Sequence, residues 1–351
     1  MNIDECRRPD ALVIGAGIIG ASIAWRLSQR GARVMLLDAG PFGDQASRAG
    51  AGMLAPGGEV DRESPWARRS VESLRMYPAF VEELASESGV KIDYRVCGAI
   101  EVAFSPEELE DAGRRARAQA KLEIPSRAIG IEEARRLAPA LATEALTGAR
   151  YYPDDAIVDP RDVLRALRQA CTDRGVAICE NRPVLRVVES GSAETAGGPI
   201  SAGAVVLAAG AWSGDLLPEA AKSFPVKGHL IGYDLRPGSL GPILRRGHTY
   251  VLQRGSGFTI AGSTMERVGF DPSVDPDTVA RLHRRARKLL PSLLLSSPDS
   301  SWTGFRPGVE GDEPQVGRFG DSRIWLAYGH YRNGILLAPV TARMIADEIT
   351  P

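Results

Sequence analysis

Three glycines, Gly15, Gly17 and Gly20, stand at GxGxxG spacing, and an acid, Asp38, closes the same unit. Each has a separate physical task in holding a dinucleotide. Gly15 permits a tight turn, Gly17 lets a pyrophosphate come against the backbone, and Gly20 lets the helix that follows lie close on the strand before it. Asp38 is placed to accept hydrogen bonds from a ribose 2′-hydroxyl and to repel a 2′-phosphate. A second stretch, SRAGAGMLAP at 47–56, packs small residues so densely that backbone N–H groups can press against a flat ligand. A flexible linker would also be small-residue rich, but the apolar content and the position just after the fingerprint favour a ligand-facing loop.

These residues need elements to hold them. An apolar strand at 11–14 runs into the glycines, an amphipathic helix follows to about Arg30, Gly31 stops it, and a second apolar strand at 34–37 ends in Asp38. The helix N-terminus then offers unpaired N–H groups and the positive end of its dipole to phosphates. The uncharged run at 11–25 is broken by glycine and has no convincing cleavage site, which argues against a leader peptide. Apolar spacing predicts helices at 65–90 and 131–137. Ser105 and Asp159, each followed by proline, open helices at 106–122 and from 160 to a stop at Gly175. Further helices are expected at 277–290 and at the C-terminal end, to about 349. Strands are expected at 94–104, 176–179, 184–188, 200–209, 229–235, 249–253, 257–261 and 323–327. The strand at 200–209 is of the fully buried kind, and its apolar end at 205–209 empties into Ala-Gly, as at the C-terminal edge of a parallel sheet. The expected architecture is α/β. A discontinuous Rossmann-type nucleotide-binding domain takes 1–80, 151–218 and 306–351. Residues 81–150 and 219–305 form an inserted, largely antiparallel substrate domain.

The chain has 351 residues, enough for a large core and two domains. Its net charge of −1 gives no reason to expect nucleic acid or a lipid surface as partner. Cys6, Cys97, Cys171 and Cys179 are scattered without a CxxC, as thiols of a reducing, cytoplasmic compartment would be. Four histidines without metal-ligand spacing leave no expected metal site. No apolar run is long enough to span a bilayer. Residues 1–10 are polar and read as a loose lead-in.

Six stretches carry a resemblance that runs nearly end to end: GAGIIGASIAWRL at 15–27, ASRAGAGML at 46–54, GHTYV at 247–251, AGSTME at 261–266, GFRPG at 304–308 and GHYRNGILLAP at 329–339. With them the chain resembles the amino-acid oxidase family of flavoproteins, D-amino-acid oxidases included, and within it the glycine oxidases of the thiamine pathway. The resemblance implies noncovalent FAD. Composition and spacing alone do not choose FAD over NAD, although the late glycine-rich turn at 329–334 could aim a helix N-terminus at a flavin ring and stabilise negative charge there. The implied FAD contacts are Gly15, Gly17, Ile18, Ile19 and Gly20; Asp38 and Ala39; Ser47, Arg48, Ala51, Gly52 and Met53; Val184; Ala209, Gly210 and Trp212; Gly304 and Arg306; and His330, Arg332, Asn333, Gly334, Ile335 and Leu336. Covalently flavinylated relatives carry a Cys or His at a characteristic site; the segment after GFRPG, 309–319, has neither. His229 stands where many members have Gln.

Flavin-dependent amine oxidation asks the protein mainly to hold an α-carbon over a ring and to keep water out. The substrate carboxylate therefore needs an anchor, and a guanidinium fits it bidentately. By resemblance Arg306 is that anchor and Tyr250 donates its hydroxyl to the same carboxylate. Arg332 sits near the pocket mouth or the flavin edge, His248 and Met265 line the pocket, and His330 supports its turn. The implied reaction takes glycine, water and molecular oxygen to glyoxylate, ammonia and hydrogen peroxide, with sarcosine and small D-amino acids as further substrates. Two enzyme alternatives remain open at this point: oxidation of a larger N-substituted glycine, and a dehydrogenase with a non-oxygen acceptor. A nucleotide-binding module without redox chemistry is the alternative from another class. The residues do not fix the oligomeric state, and a homo-oligomer is compatible with them.

Overall fold

The computed structural model describes residues 9–350; the lead-in at 1–8, with Cys6, lies outside the described residues. Strand Ala11–Ile14 is buried over its whole length because both of its faces are covered. Alternation divides its side chains: Ala11 and Val13 pack towards helices, Leu12 and Ile14 towards the opposite face. It pairs in parallel with Val34–Leu37 on one side and Ala204–Leu207 on the other. The sheet continues outward to Ala177–Cys179 and to Ile324–Tyr328, with Gln315–Arg318 as an antiparallel edge. Helices Ile18–Gln29, Pro65–Ser88, Pro160–Asp173 and Gly334–Ile349 bury one face of this six-stranded sheet, with Trp25, Tyr77, Phe80 and Leu167 among the core residues. A three-stranded antiparallel meander, Val184–Val188, Ser192–Thr195 and Gly198–Ser201, covers the other face.

The second sheet has eight strands, all neighbours antiparallel except Ala99–Ala103 beside Ile243–Arg246. Its long strand Ser223–Asp234 pairs with Ser300–Val309 and with Phe258–Gly262, and Thr249–Gln253 follows next across the sheet. One face packs on helices Ile131–Leu137 and Pro276–Leu289 through Ile231, Tyr233, Leu282 and Leu289. The other face packs Leu230, Tyr250, Leu252 and Ile260 with Ala51, Val60 and Val71.

Several elements differ from their expected form. The strand expected at 200–209 is two pieces. Gly198–Ser201 belongs to the meander and Ala204–Leu207 to the parallel sheet, with Gly203 between them so close to the chain that a Cβ would lie 2.8 Å from the Asp10 carbonyl. The strand expected at 94–104 breaks likewise at Gly98, whose φ of +71° turns the chain from Tyr94–Val96 in a small sheet to Ala99–Ala103 in the large one. The boundary drawn between 80 and 81 falls inside helix Pro65–Ser88, where Val81 and Leu84 belong to the same core as Phe80. The boundary between 305 and 306 falls inside strand Ser300–Val309.

Candidate active site

Between the two sheets lies a cavity of about 510 Å³, and the glycine fingerprint forms one end of it. Gly15 has φ +103°, and a Cβ there would sit 2.3 Å from the Ala208 carbonyl oxygen; at Gly20 it would sit 1.9 Å from the carbonyl of Gly15. Only glycine allows that turn and that approach of helix to strand. The first helix starts on the cavity wall with Gly17, Ile18 and Ile19, and the Ser47 hydroxyl accepts a hydrogen bond from the Ile18 N–H at 2.9 Å. The small-residue stretch thus folds back over the helix N-terminus. Ala51, Gly52 and Met53 line the wall beyond it. Asp38 and Ala39 close this end. The Asp38 carboxylate accepts from the backbone N–H of Ala16 at 2.6 Å and of Gly40 at 2.9 Å, while burial raises its pKa above the usual carboxylate value.

Val184, Ala209, Gly210 and Trp212 form a flank. The last helix, Gly334–Ile349, presents its N-terminus with no side-chain cap, and Asn333, Gly334 and Ile335 stand on the wall there. His330, also on the wall, is buried and bonds Thr341 Oγ1 through Nε2 at 3.0 Å; burial pushes its pKa down to about 3, so the ring is neutral.

At the far end the antiparallel sheet supplies polar groups. Arg306 lies over Gly228, where a Cβ would come within 2.3 Å of Nη1. The guanidinium donates to the Thr264 carbonyl at 2.9 Å and to Ser263 Oγ at 2.8 Å. No carboxylate among the described residues forms an ion pair with it, although Arg306 is largely desolvated and its pKa lowered for that reason. A half-buried guanidinium with neutral partners is an open anion site. Tyr250 lines the same end; burial raises its hydroxyl pKa, and Arg306 and Arg332 pull the other way. Arg332 is also on the wall, but Glu59 already pairs with it at 2.9 Å.

Five expected residues are off the wall. Gly20 is one layer behind, in the packing role its spacing predicts. Leu336 points into the core at 1% exposure. Arg48 is exposed and pairs with Asp44 one helical turn away, because its short helix turns it outward. His248 and Met265 sit at the rim: His248 Nδ1 is 3.4 Å from Arg332 Nη1, and the Met265 sulfur accepts from the Tyr331 hydroxyl at 3.2 Å. Residue patterns alone did not single out Glu59, Ser263 or Gly228. Glu59 is one acid of the turn PGGE, and nothing local distinguishes it from a surface charge; its partner comes from the other end of the chain.

The donor set suits a long ligand with anionic phosphates in the middle. Two helix N-termini and a glycine cradle face one cavity, with an acid at one end and a free guanidinium at the other. The chain belongs to the FAD dependent oxidoreductase family (DAO), which matches residues 10–348. Within that class, it is 33% identical over 350 residues to the glycine oxidase of Geobacillus kaustophilus, covering 97% of this chain and 93% of that protein. A crystal structure of glycine oxidase from the same species superposes with a TM-score of 0.93 over 97% of this chain and 94% of that one. The chain is 35% identical to the bifunctional protein ThiO/ThiG of Synechocystis over 97% of its own length and 51% of that protein. Iminodiacetate oxidase from Chelativorans sp. BNC1 is 25% identical, with a TM-score of 0.87 over 96% of this chain and 94% of that one. The protein is therefore an FAD-dependent oxidoreductase acting on amino acids, of glycine-oxidase type.

Proposed function

We propose that the protein oxidises glycine, and secondarily sarcosine or small D-amino acids, to the imine, which water hydrolyses to ammonia (methylamine from sarcosine) and glyoxylate, or the corresponding 2-oxo acid from a D-amino acid, while the electrons pass to molecular oxygen as hydrogen peroxide. The observation that carries the reading is Arg306, a desolvated guanidinium on the cavity wall held by neutral acceptors only. Bound in the cavity, FAD supplies a hydride acceptor. Arg306 grips the substrate carboxylate with the N–H groups that Thr264 and Ser263 leave free, and Tyr250 adds a hydroxyl donor. The buried Tyr250 phenol stays protonated at neutral pH, so it can donate and does not act as a base. Apolar wall residues such as Leu230 and Phe305 keep water from the α-carbon.

We further propose that FAD is held noncovalently. No cysteine lines the cavity, and its one histidine, His330, is tied to Thr341. The division into an FAD-binding domain on the parallel sheet and a substrate domain on the antiparallel sheet belongs to the same proposal, as does a place in thiamine synthesis in the cytoplasm. The resemblance to ThiO/ThiG supports the pathway. A second reading, oxidation of a larger N-substituted glycine, draws on the likeness to iminodiacetate oxidase. Peroxide release from glycine, sarcosine and longer N-alkyl glycines tests both. Glycine and sarcosine are expected to lead; much faster turnover of a long-chain member overturns the glycine reading. Acid precipitation is expected to leave the yellow colour in the supernatant, and colour retained in the pellet overturns noncovalent binding.

A further inference from the structure

The anchor Arg306 depends on a loop, residues 263–275, whose own support is a fully buried histidine on the neighbouring strand. His229 has 0% exposure, and its backbone N–H and both ring nitrogens are bonded. Its backbone N–H donates to Thr264 Oγ1 at 2.9 Å. Its Nδ1 lies 2.9 Å from Glu266 Oε1, and its Nε2 accepts from the Asp275 N–H at 3.1 Å. A carboxylate can only accept and an N–H only donate, so the ring carries its proton on Nδ1. The Thr264 hydroxyl also donates to the Glu266 carboxylate.

On strand Ser223–Asp234, residues 228 and 229 face opposite ways. The Gly228 side is where the Arg306 guanidinium lies, and the guanidinium takes the Thr264 carbonyl. The His229 side takes the Thr264 hydroxyl and the carboxylate two residues on. One residue, Thr264, is thus gripped from both faces of the strand, by the anchor on one side and by the His229–Glu266 pair on the other. Lys227 adds a tie further along the loop, through Asp271 at 2.9 Å, and Phe270 stacks on the cavity residue Trp212 with ring centroids 4.5 Å apart.

We propose that His229 is a positioning residue for substrate binding. Through the Nδ1–H bond to Glu266 it fixes Thr264, and Thr264 fixes the fork of Arg306 towards the substrate carboxylate. The proposal rests on reading Arg306 as that anchor. An Arg fork that loses an acceptor on one arm keeps its charge but not its direction, so carboxylate affinity falls while the chemistry of bound substrate changes little.

The test compares wild-type holoenzyme with His229→Leu, His229→Asn and Glu266→Ala. Acetate, as a bare carboxylate probe, is titrated against the flavin absorbance, and KM and kcat for glycine are measured beside FAD content. Asn retains an N–H donor near the Nδ1 position; Leu retains none. His229→Leu and Glu266→Ala are expected to bind acetate about tenfold more weakly and to raise KM by about the same factor, with kcat changed less than about threefold. His229→Asn is expected to stay within about threefold of wild type on every measure. Acetate affinities of His229→Leu and Glu266→Ala within about twofold of wild type overturn the proposal, as does His229→Asn being as impaired as His229→Leu. Should His229→Leu not fold, Glu266→Ala decides alone, because its side chain is 30% exposed on the loop. A wild-type flavin that does not respond to acetate removes the Arg306 anchor first, and this inference with it.

Discussion

Replacing Arg306 by alanine probes the site most directly. The guanidinium has five N–H donors. Thr264 and Ser263 occupy one on each terminal nitrogen, which leaves the remaining two terminal N–H groups and Nε–H for a ligand. A bidentate pair with a carboxylate fits that remainder, in a setting where burial has already removed most of the water. Severing one side of such a desolvated charge pair costs about 2–5 kcal/mol. At about 1.4 kcal/mol per decade, kcat/KM for glycine is predicted to fall roughly 30-fold to several-thousand-fold. Folding should suffer far less, because Arg306 has no carboxylate partner among the described residues to leave unpaired. FAD content and thermal midpoint should therefore stay near wild type. The assay is peroxide release under steady state, with flavin absorbance recorded on the same preparation. Arg306→Lys should recover only part of the loss, since an ammonium keeps the charge but not the fork. A kcat/KM for Arg306→Ala within threefold of wild type, with flavin intact, would remove this residue from substrate binding.

Other predictions follow from neighbouring geometry. Gly228→Ala places a Cβ 2.3 Å from Arg306 Nη1, so the guanidinium must move; KM for glycine should rise about tenfold or more with FAD content unchanged, and an unaltered KM would show that the fork tolerates displacement. Gly20→Ala drives a Cβ to 1.9 Å from the Gly15 carbonyl; an overpacking cost of about 1–3 kcal/mol or more should appear as a lower thermal midpoint together with lost flavin, and a stable yellow variant would contradict the close approach. His330, with its pKa lowered to about 3 by burial, is neutral in the folded protein while its unfolded counterpart takes up a proton below about pH 6.5. Its contribution is therefore fully present above pH 6.5 and is lost as pH falls towards 3, so His330→Asn should show a shallower decline of stability between pH 6 and 4, measured by denaturant unfolding. Equal slopes for the two proteins would put the acid sensitivity elsewhere.

The legible part of this protein was local. Gly15, Gly17, Gly20 and Asp38 announce their roles because turn, approach and acid are all specified within one βαβ unit. Caps such as Ser105 and Asp159 likewise start their helices where the residues say, since the side chain needs only the backbone of the next turn; Ser105 accepts from the Glu108 N–H and Asp159 from the Arg161 N–H. The break at Gly98 and the split at Gly203 were hidden, because an unbroken strand-like pattern, alternating at 94–104 and buried at 200–209, does not record which sheet each half joins. Leu336 shows the same limit: it lies in a motif that touches the cavity, yet helical rotation sends it into the core.

The functional end of the cavity depended most on long-range contact. Glu59 with Arg332 joins positions hundreds of residues apart; Gly228 matters because its strand pairs with the one bearing Arg306, and Ser263 because it follows the strand on the far side of Gly228, within reach of the guanidinium. Residue types alone established a dinucleotide cradle and supplied arginine and tyrosine suited to a carboxylate. Only folding decided that Arg332 meets an acid at this end of the cavity while Arg306, among the described residues, does not. That distinction belongs to pairs brought together across two sheets, and charge in one chain segment carries no record of the charge that will face it.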